Sequence, residues 1–297
     1  MRSILTSRTA ACSLVLAIGL GGCAAPGGAS DGPPEVVASF YPLYEAAARV
    51  AGSLAEVTNL TPPGAEPHDV ELATDDVDLI EDADVVLYVG QGFQPGVGEV
   101  AQRSQGRAVD VLEGLTLLPT EQGSDPHVWL DPELMLAITH RAESALLEAD
   151  PDNALTYRRN AEAFGAELRG LDAEFEQGLS GCERDLVVVS HAAFAYLAAA
   201  YGLQQEAITG LSPEAEADPE RLDELADLVE SEDVTTIFTE TLVAPDLAET
   251  LAREVGAQID VLNPIEGLTE EQEEAGQDYL SLQRQNLAKL REALGCP

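Results

Sequence analysis

Only four histidines occur in this 297-residue chain, and three of them fall where loops are expected. His68 lies in Pro62-Pro63-Gly64-Ala65-Glu66-Pro67-His68-Asp69, His127 in Asp125-Pro126-His127-Val128-Trp129-Leu130-Asp131-Pro132, and His191 directly after the apolar run Val187-Val188-Val189-Ser190. A neutral imidazole donates a ring nitrogen to a borderline cation, so three imidazoles meeting at one point would make a site for a divalent transition metal. A lone histidine in a turn is normally a hydrogen-bonded surface residue. Three at matching positions of a repeated plan argue differently. His140, beside Arg141 in the middle of a helical pattern, keeps the ordinary surface reading.

The elements that must bring these residues together are short β-branched runs alternating with amphipathic helical stretches, the pattern of parallel sheets covered by helices. The first half predicts strands over residues 35–40, 56–60, 84–89 and 107–111, with helices over 43–51 and 74–82. The second half repeats the plan, with strands over 185–190, 206–208, 234–239 and 258–262 and helices over 193–201, 219–230, 245–255 and 270–294. Between the halves, residues 132–148 and 153–178 read as helices interrupted at Asp150-Pro151. The fold class is therefore α/β, with two lobes joined through a helix. In open sheets of this kind ligands bind outside the carboxyl ends of the strands. His68 and His191 both follow strands, and His127 occupies the turn before the inter-lobe helices, so two facing lobes can converge the three rings. Trp129 reads as core packing beneath that turn.

At the N-terminus, Arg2 and Arg8 precede an apolar run from Ala11 to Leu20. That run is too short to span a membrane and reads as a signal peptide over residues 1–22. Gly21 and Gly22 before Cys23 resemble a bacterial lipobox, which makes Cys23 the expected lipidation site and residues 23–34, rich in Ala, Gly, Pro and Ser, a flexible tether. The rival reading is an ordinary secreted protein. Loss of Cys12 with the signal leaves Cys182 and Cys296. In an oxidising compartment they read as one disulfide; free thiols or thiolate ligands are the alternatives, although the spacing is not that of a zinc knuckle.

The chain has 54 acidic against 15 basic residues, a formal charge of −39, and Lys289 is its only lysine. Nucleic acid and anionic lipid surfaces are poor partners for such a charge, which reads first as a solvated, non-associating exterior.

The Pro67-His68-Asp69 loop, the Asp125-to-Pro132 segment, Ser190-His191-Ala192-Ala193-Phe194-Ala195-Tyr196-Leu197, and Phe238-Thr239-Glu240 followed by Val243-Ala244-Pro245 together resemble the zinc- and manganese-binding solute-binding lipoproteins of metal ABC importers, the cluster A-I family, in its zinc-uptake type. The resemblance covers nearly all of residues 35–295. It implies an N-terminal α/β lobe over 35–150, a long rigid linking helix over 151–180, a C-terminal lobe over 181–297 and a metal between the lobes. It implies zinc bound through His68, His127 and His191, since manganese-binding relatives usually carry a carboxylate at the position of His191 and manganese prefers more oxygen.

The sequence departs from the family in two places. Asn263-Pro264 stands where an Asp ligand before Pro is often found, which makes Glu240 the expected fourth donor, with water or Asn263 behind it. Glu240 read instead as an orienting partner of a histidine is the other possibility. No histidine-rich loop precedes His127. The implied function is extracytoplasmic capture of Zn²⁺ and delivery to an ABC permease by a membrane lipoprotein that is not an enzyme. A manganese-binding homologue, a zinc hydrolase with Glu240 as general base, and a metal-stabilised surface adhesin are the alternatives. Against the hydrolase stands the lack of a His-Glu-x-x-His helix or a serine nucleophile elbow.

Overall fold

The computed structural model describes residues 32–120, 123–215 and 218–297. The expected signal peptide, Cys23 and most of the tether lie outside them. No helix among the described residues is long and apolar enough to cross a membrane.

Four strands, β1 (Glu35–Ala38), β2 (Glu56–Asn59), β3 (Val85–Tyr88) and β4 (Arg107–Asp110), pair in parallel in the order β2-β1-β3-β4. They alternate with α1 (Tyr41–Ala51), α2 (Thr74–Asp82) and α3 (Pro95–Ala101), the last of which the sequence analysis did not anticipate. After the small antiparallel pair β5 (Pro119–Thr120) and β6 (Gly123–Ser124) come the long helices α4 (Pro132–Ala149) and α5 (Ala154–Gly178). A second parallel sheet follows, from β7 (Leu186–Val189), β8 (Gln204–Ala207), β9 (Thr236–Thr239) and β10 (Gln258–Val261), in the order β10-β9-β7-β8. Numbered within its own lobe, each sheet runs 2-1-3-4. The lobes share one topology, with the strand order reversing beside the first strand, where open sheets place their ligand crevice.

The remaining helices are α6 (Ala195–Tyr201), α7 (Pro219–Ser231), α8 (Asp246–Val255), α9 (Glu270–Glu274) and α10 (Tyr279–Leu294). The single helix expected over 270–294 is two, for a local reason. Gly276 takes φ +67, which ends α9, and Asp278 starts α10 anew by accepting from the Ser281 amide at 2.8 Å.

The burial pattern decides how far the lobes can part. One continuous core contains Val36 and Leu87 of the first sheet, Val187 and Val189 of the second, and Leu43, Ile138, Phe164, Phe175, Tyr279 and Leu290 of α1, α4, α5 and α10. The outer faces of the sheets hold two smaller clusters, one around Ile80 and Val86 and one around Val188 and Ile237. α5, about 37 Å long at ~1.5 Å per residue, is buried on one stripe by this shared core. Opening the lobes like a book would expose that stripe, so motion is cheaper in the loops above it.

Cys182 and Cys296 are joined, fastening the end of the chain after α10 to the start of the second lobe across 114 residues. A loop of that length is worth roughly 4–5 kcal/mol in the chain-entropy account. Replacing both cysteines by serine is expected to lower the unfolding free energy, read by urea titration, by most of that amount while leaving zinc affinity within about twofold. Peptide mapping that finds both thiols alkylated before reduction would overturn the pairing.

Candidate metal centre

The three loop histidines meet. His68 is set by a 3₁₀ turn over Pro67–Asp69, whose preceding residue Glu66 accepts the His68 amide at 3.2 Å. His127 precedes a second 3₁₀ turn, Val128–Leu130, and Asp125 holds it twice, at the amide (2.9 Å) and at Nδ1 (2.7 Å). His191 stands two residues beyond β7, and Glu240, the first residue after β9, takes its amide at 3.0 Å and its Nδ1 at 2.6 Å. β7 and β9 are hydrogen-bonded neighbours at the point where the strand order reverses, which is why residues so far apart in sequence are adjacent.

With Nδ1 of His127 and His191 held by carboxylates, the opposite nitrogens turn inward. Nε2 of His68, His127 and His191 lie 3.6, 3.4 and 3.4 Å from one oxygen of Glu266. All four donor atoms lie within 4.8 Å of one another. A tetrahedron with Zn–N and Zn–O bonds of roughly 2.0–2.1 Å has edges of about 3.3 Å, so the three nitrogen–oxygen separations are close to those a four-coordinate zinc requires. The three Nε2 atoms and both Glu266 oxygens are buried without a hydrogen-bond partner. Buried polar atoms are rarely left so, and five converging on one point mark a place for a cation.

Glu266 was not among the residues singled out from sequence. The carboxylate that lies beside the three Nε2 atoms is that of Glu266, not of Glu240, which was expected as the fourth donor with Asn263 or water behind it. Both oxygens of Glu240 are committed to His191, the orienting arrangement. Asn263 turns its Oδ1 to the amide of Ile265 at 2.8 Å. Ile265, fully buried, takes φ +55, a conformation a β-branched residue adopts only when its surroundings compel it. The Pro264 carbonyl next to it accepts from Trp129 Nε1 at 2.9 Å, so the first lobe helps to hold this kink. The Asn-Pro departure from the family pattern thus marks the turn that aims the next carboxylate. The signal available in the sequence was the acid itself, following the last strand in an otherwise apolar stretch, on the ligand side of the sheet. Trp129 is fully buried as expected. His140 is exposed on α4 and pairs with Glu143 at 3.1 Å, away from the centre.

The charges are mutually adjusted. Burial disfavours the charged form of His191, yet Glu240 and Glu266 outweigh it and hold its pKa well above the ordinary value. His127 is raised in the same way, burial being overcome by the hydrogen bond to Asp125 and the nearby Glu266 carboxylate. Burial opposes ionisation of Glu266, but the charge of His191 and the close approach of all three imidazoles keep it well below the usual carboxylate range. At the rim, burial and the neighbouring Glu266 push Glu66 up to about 8. The pocket is built to hold positive charge, as protons when no ion is present and as a metal otherwise.

Comparison with known proteins agrees with this chemistry. Residues 36–293 match the family described as zinc-uptake complex component A, periplasmic. The zinc-binding lipoprotein AdcA of Streptococcus pneumoniae is 36% identical over 281 residues, covering 89% of this chain and 56% of that protein. The chain thus spans about half the length of that relative. The high-affinity zinc uptake system protein ZnuA of Bacillus subtilis is 32% identical over 279 residues, covering 88% of this chain and 87% of its own length. The crystal structure of the Zn(II)-bound ZnuA-like domain of the S. pneumoniae protein superposes with a TM-score of 0.78 at 37% identity, covering 89% of this chain and 99% of that one.

Proposed function

The chain belongs to the zinc-uptake complex component A family, and we propose that it captures Zn²⁺ outside the cell and delivers it to an ABC-type importer in the membrane. The observation that carries this reading is the convergence of three imidazole nitrogens and one carboxylate oxygen, all buried and unpartnered, within 4.8 Å of one another. His68, His127, His191 and Glu266 are the donors; Asp125 and Glu240 orient two of the rings. Three nitrogens and one oxygen favour zinc over manganese, which prefers a majority of oxygen donors and higher coordination. The protein performs no reaction on the ion: with four protein donors, no coordination position is kept open for a water nucleophile.

In this reading residues 1–22 are removed on export, Cys23 carries the lipid, residues 23–34 form the tether, and the lobes over 35–150 and 181–297 flank the linking helix of 151–180. The permease is the partner, and the acidic exterior keeps the protein monomeric beside the membrane. Protein purified without added metal is expected to carry about one zinc per chain by native mass spectrometry with elemental analysis, and to regain it in preference to manganese after stripping. Recovery of manganese alone, or of no divalent ion even after reloading, would sink the reading.

A further inference from the structure

Two of the three imidazoles are fixed at their far nitrogen by a carboxylate, whereas among the described residues no carboxylate holds Nδ1 of His68. His68 is also the least enclosed donor, with 9% of its side chain exposed against 1% or less for the others. Something else must keep it in place. The segment leading to it contains Pro62, Pro63 and Pro67, which have no amide hydrogen to give. Thr61 ties its start to the Ser39 carbonyl at 2.7 Å, and Ala65 closes a turn onto Pro62 at 3.1 Å, both within the first lobe. Gly64, at φ +80 in that turn, donates instead across the lobes, to the carbonyl of Leu268 at 2.8 Å.

Leu268 is two residues beyond Glu266, and Gly64 four residues before His68, so this one backbone hydrogen bond clips together the two loops that carry the exposed imidazole and the carboxylate. The loops are in contact here: a Cβ on Gly267 would touch the Ala65 carbonyl oxygen at 3.5 Å and crowd the end of the Leu242 side chain at 3.2 Å, which leaves no room for a branched side chain without displacing the Ala65 loop. With the lobes joined by a shared core, separating these loops is the motion by which a donor can leave without unfolding the molecule.

We infer that the Gly64–Leu268 clip holds His68 in the donor set and so governs how fast the ion is released. Gly64 and Gly267 act as positioning residues for different reasons: Gly64 holds a left-handed φ of +80 that a β-branched residue resists, whereas a branched side chain on Gly267 would press on the loop that carries Ala65. This rests on the zinc-binding reading above. It places the path of the ion past His68 and makes the clip the contact a docking partner would have to break.

The test is stopped-flow zinc release into excess chelator, with association measured separately. Gly64→Val puts a β-branched residue at a left-handed position and should speed release roughly 3- to 10-fold, the worth of one hydrogen bond, with association changed less than about twofold. Gly64→Asn, which tolerates that conformation, should restore most of the slow release. Gly267→Val attacks the clip from the other lobe and should also speed release, so the idea does not depend on one variant folding. In a His68→Ala background neither valine should accelerate release further. In the wild-type protein, the Gly64 amide should exchange with solvent more slowly once zinc is bound. Unchanged release in both valine variants, or equal acceleration with and without His68, overturns the clip. Failure of the wild-type protein to bind zinc overturns the reading beneath it, which is a different result.

Discussion

Glu266→Ala is expected to weaken zinc by ~100-fold or more in a competition titration, as are His68→Ala, His127→Ala and His191→Ala, because each deletes one of only four donors. Glu240→Ala and Asp125→Ala should cost about 10- to 100-fold, the usual worth of a group that fixes a ligand's orientation from behind. Their effects differ in kind from a lost donor. Without Glu240 the His191 ring keeps its inward nitrogen but loses the carboxylate that holds both its Nδ1 and its backbone amide. His140→Ala should leave affinity unchanged, its only recorded side-chain partner being Glu143 on the same helix. A Glu240→Ala protein that loses more affinity than Glu266→Ala would reverse the two assignments and make Glu240 the donor.

That pair of glutamates also shows where sequence reasoning reached its limit. The parallel sheets and the clustering of the three histidines were legible because strand-and-helix alternation and the carboxyl-end rule both act locally: His68 and His191 follow recognisable strands, and His127 stands in the turn before a recognisable helix. Glu240 was legible as a site residue for the same reason, standing directly after β9, but its partner was not. Whether a carboxylate faces a metal or the back of an imidazole depends on which nitrogen of His191 points inward, and that is fixed by pairing between strands 49 residues apart. Glu266 was hidden by a backbone feature with no strong residue signature. A left-handed Ile265 is not expected from its type, and it exists because the Asn263 side chain, the buried apolar surroundings and Trp129 reaching across from the first lobe hold the turn together. The break between α9 and α10 was missed at Gly276, where one glycine outweighs a helical pattern on both sides.

Acid should act on the empty and loaded protein in opposite directions. In the empty protein His127 and His191 have raised pKa values, so the stability they contribute is fully present below the unfolded-state value near 6.5 and is lost as pH rises through their folded values. Glu266 has the reverse sign. Its depressed pKa contributes stability above the ordinary carboxylate range, lost only as pH falls through its low folded value, so it stays ionised throughout the interval in which the histidines titrate. Zinc must displace the imidazole protons, and each proton released makes the affinity about tenfold weaker per unit of acidification. With two raised histidines the apparent dissociation constant should climb by up to ~100-fold per pH unit, beginning above the ordinary histidine value rather than at it. The two slopes cross. Over the pH interval above the unfolded-state value near 6.5 in which these histidines titrate, the metal-free melting temperature should fall as pH rises, while the increment produced by saturating zinc at fixed free concentration should grow. Differential scanning calorimetry at several pH values, with and without zinc, checks both. A zinc-induced increment that is constant over that interval would mean that no imidazole proton leaves on binding, and that the cluster around Glu266 does not hold the ion.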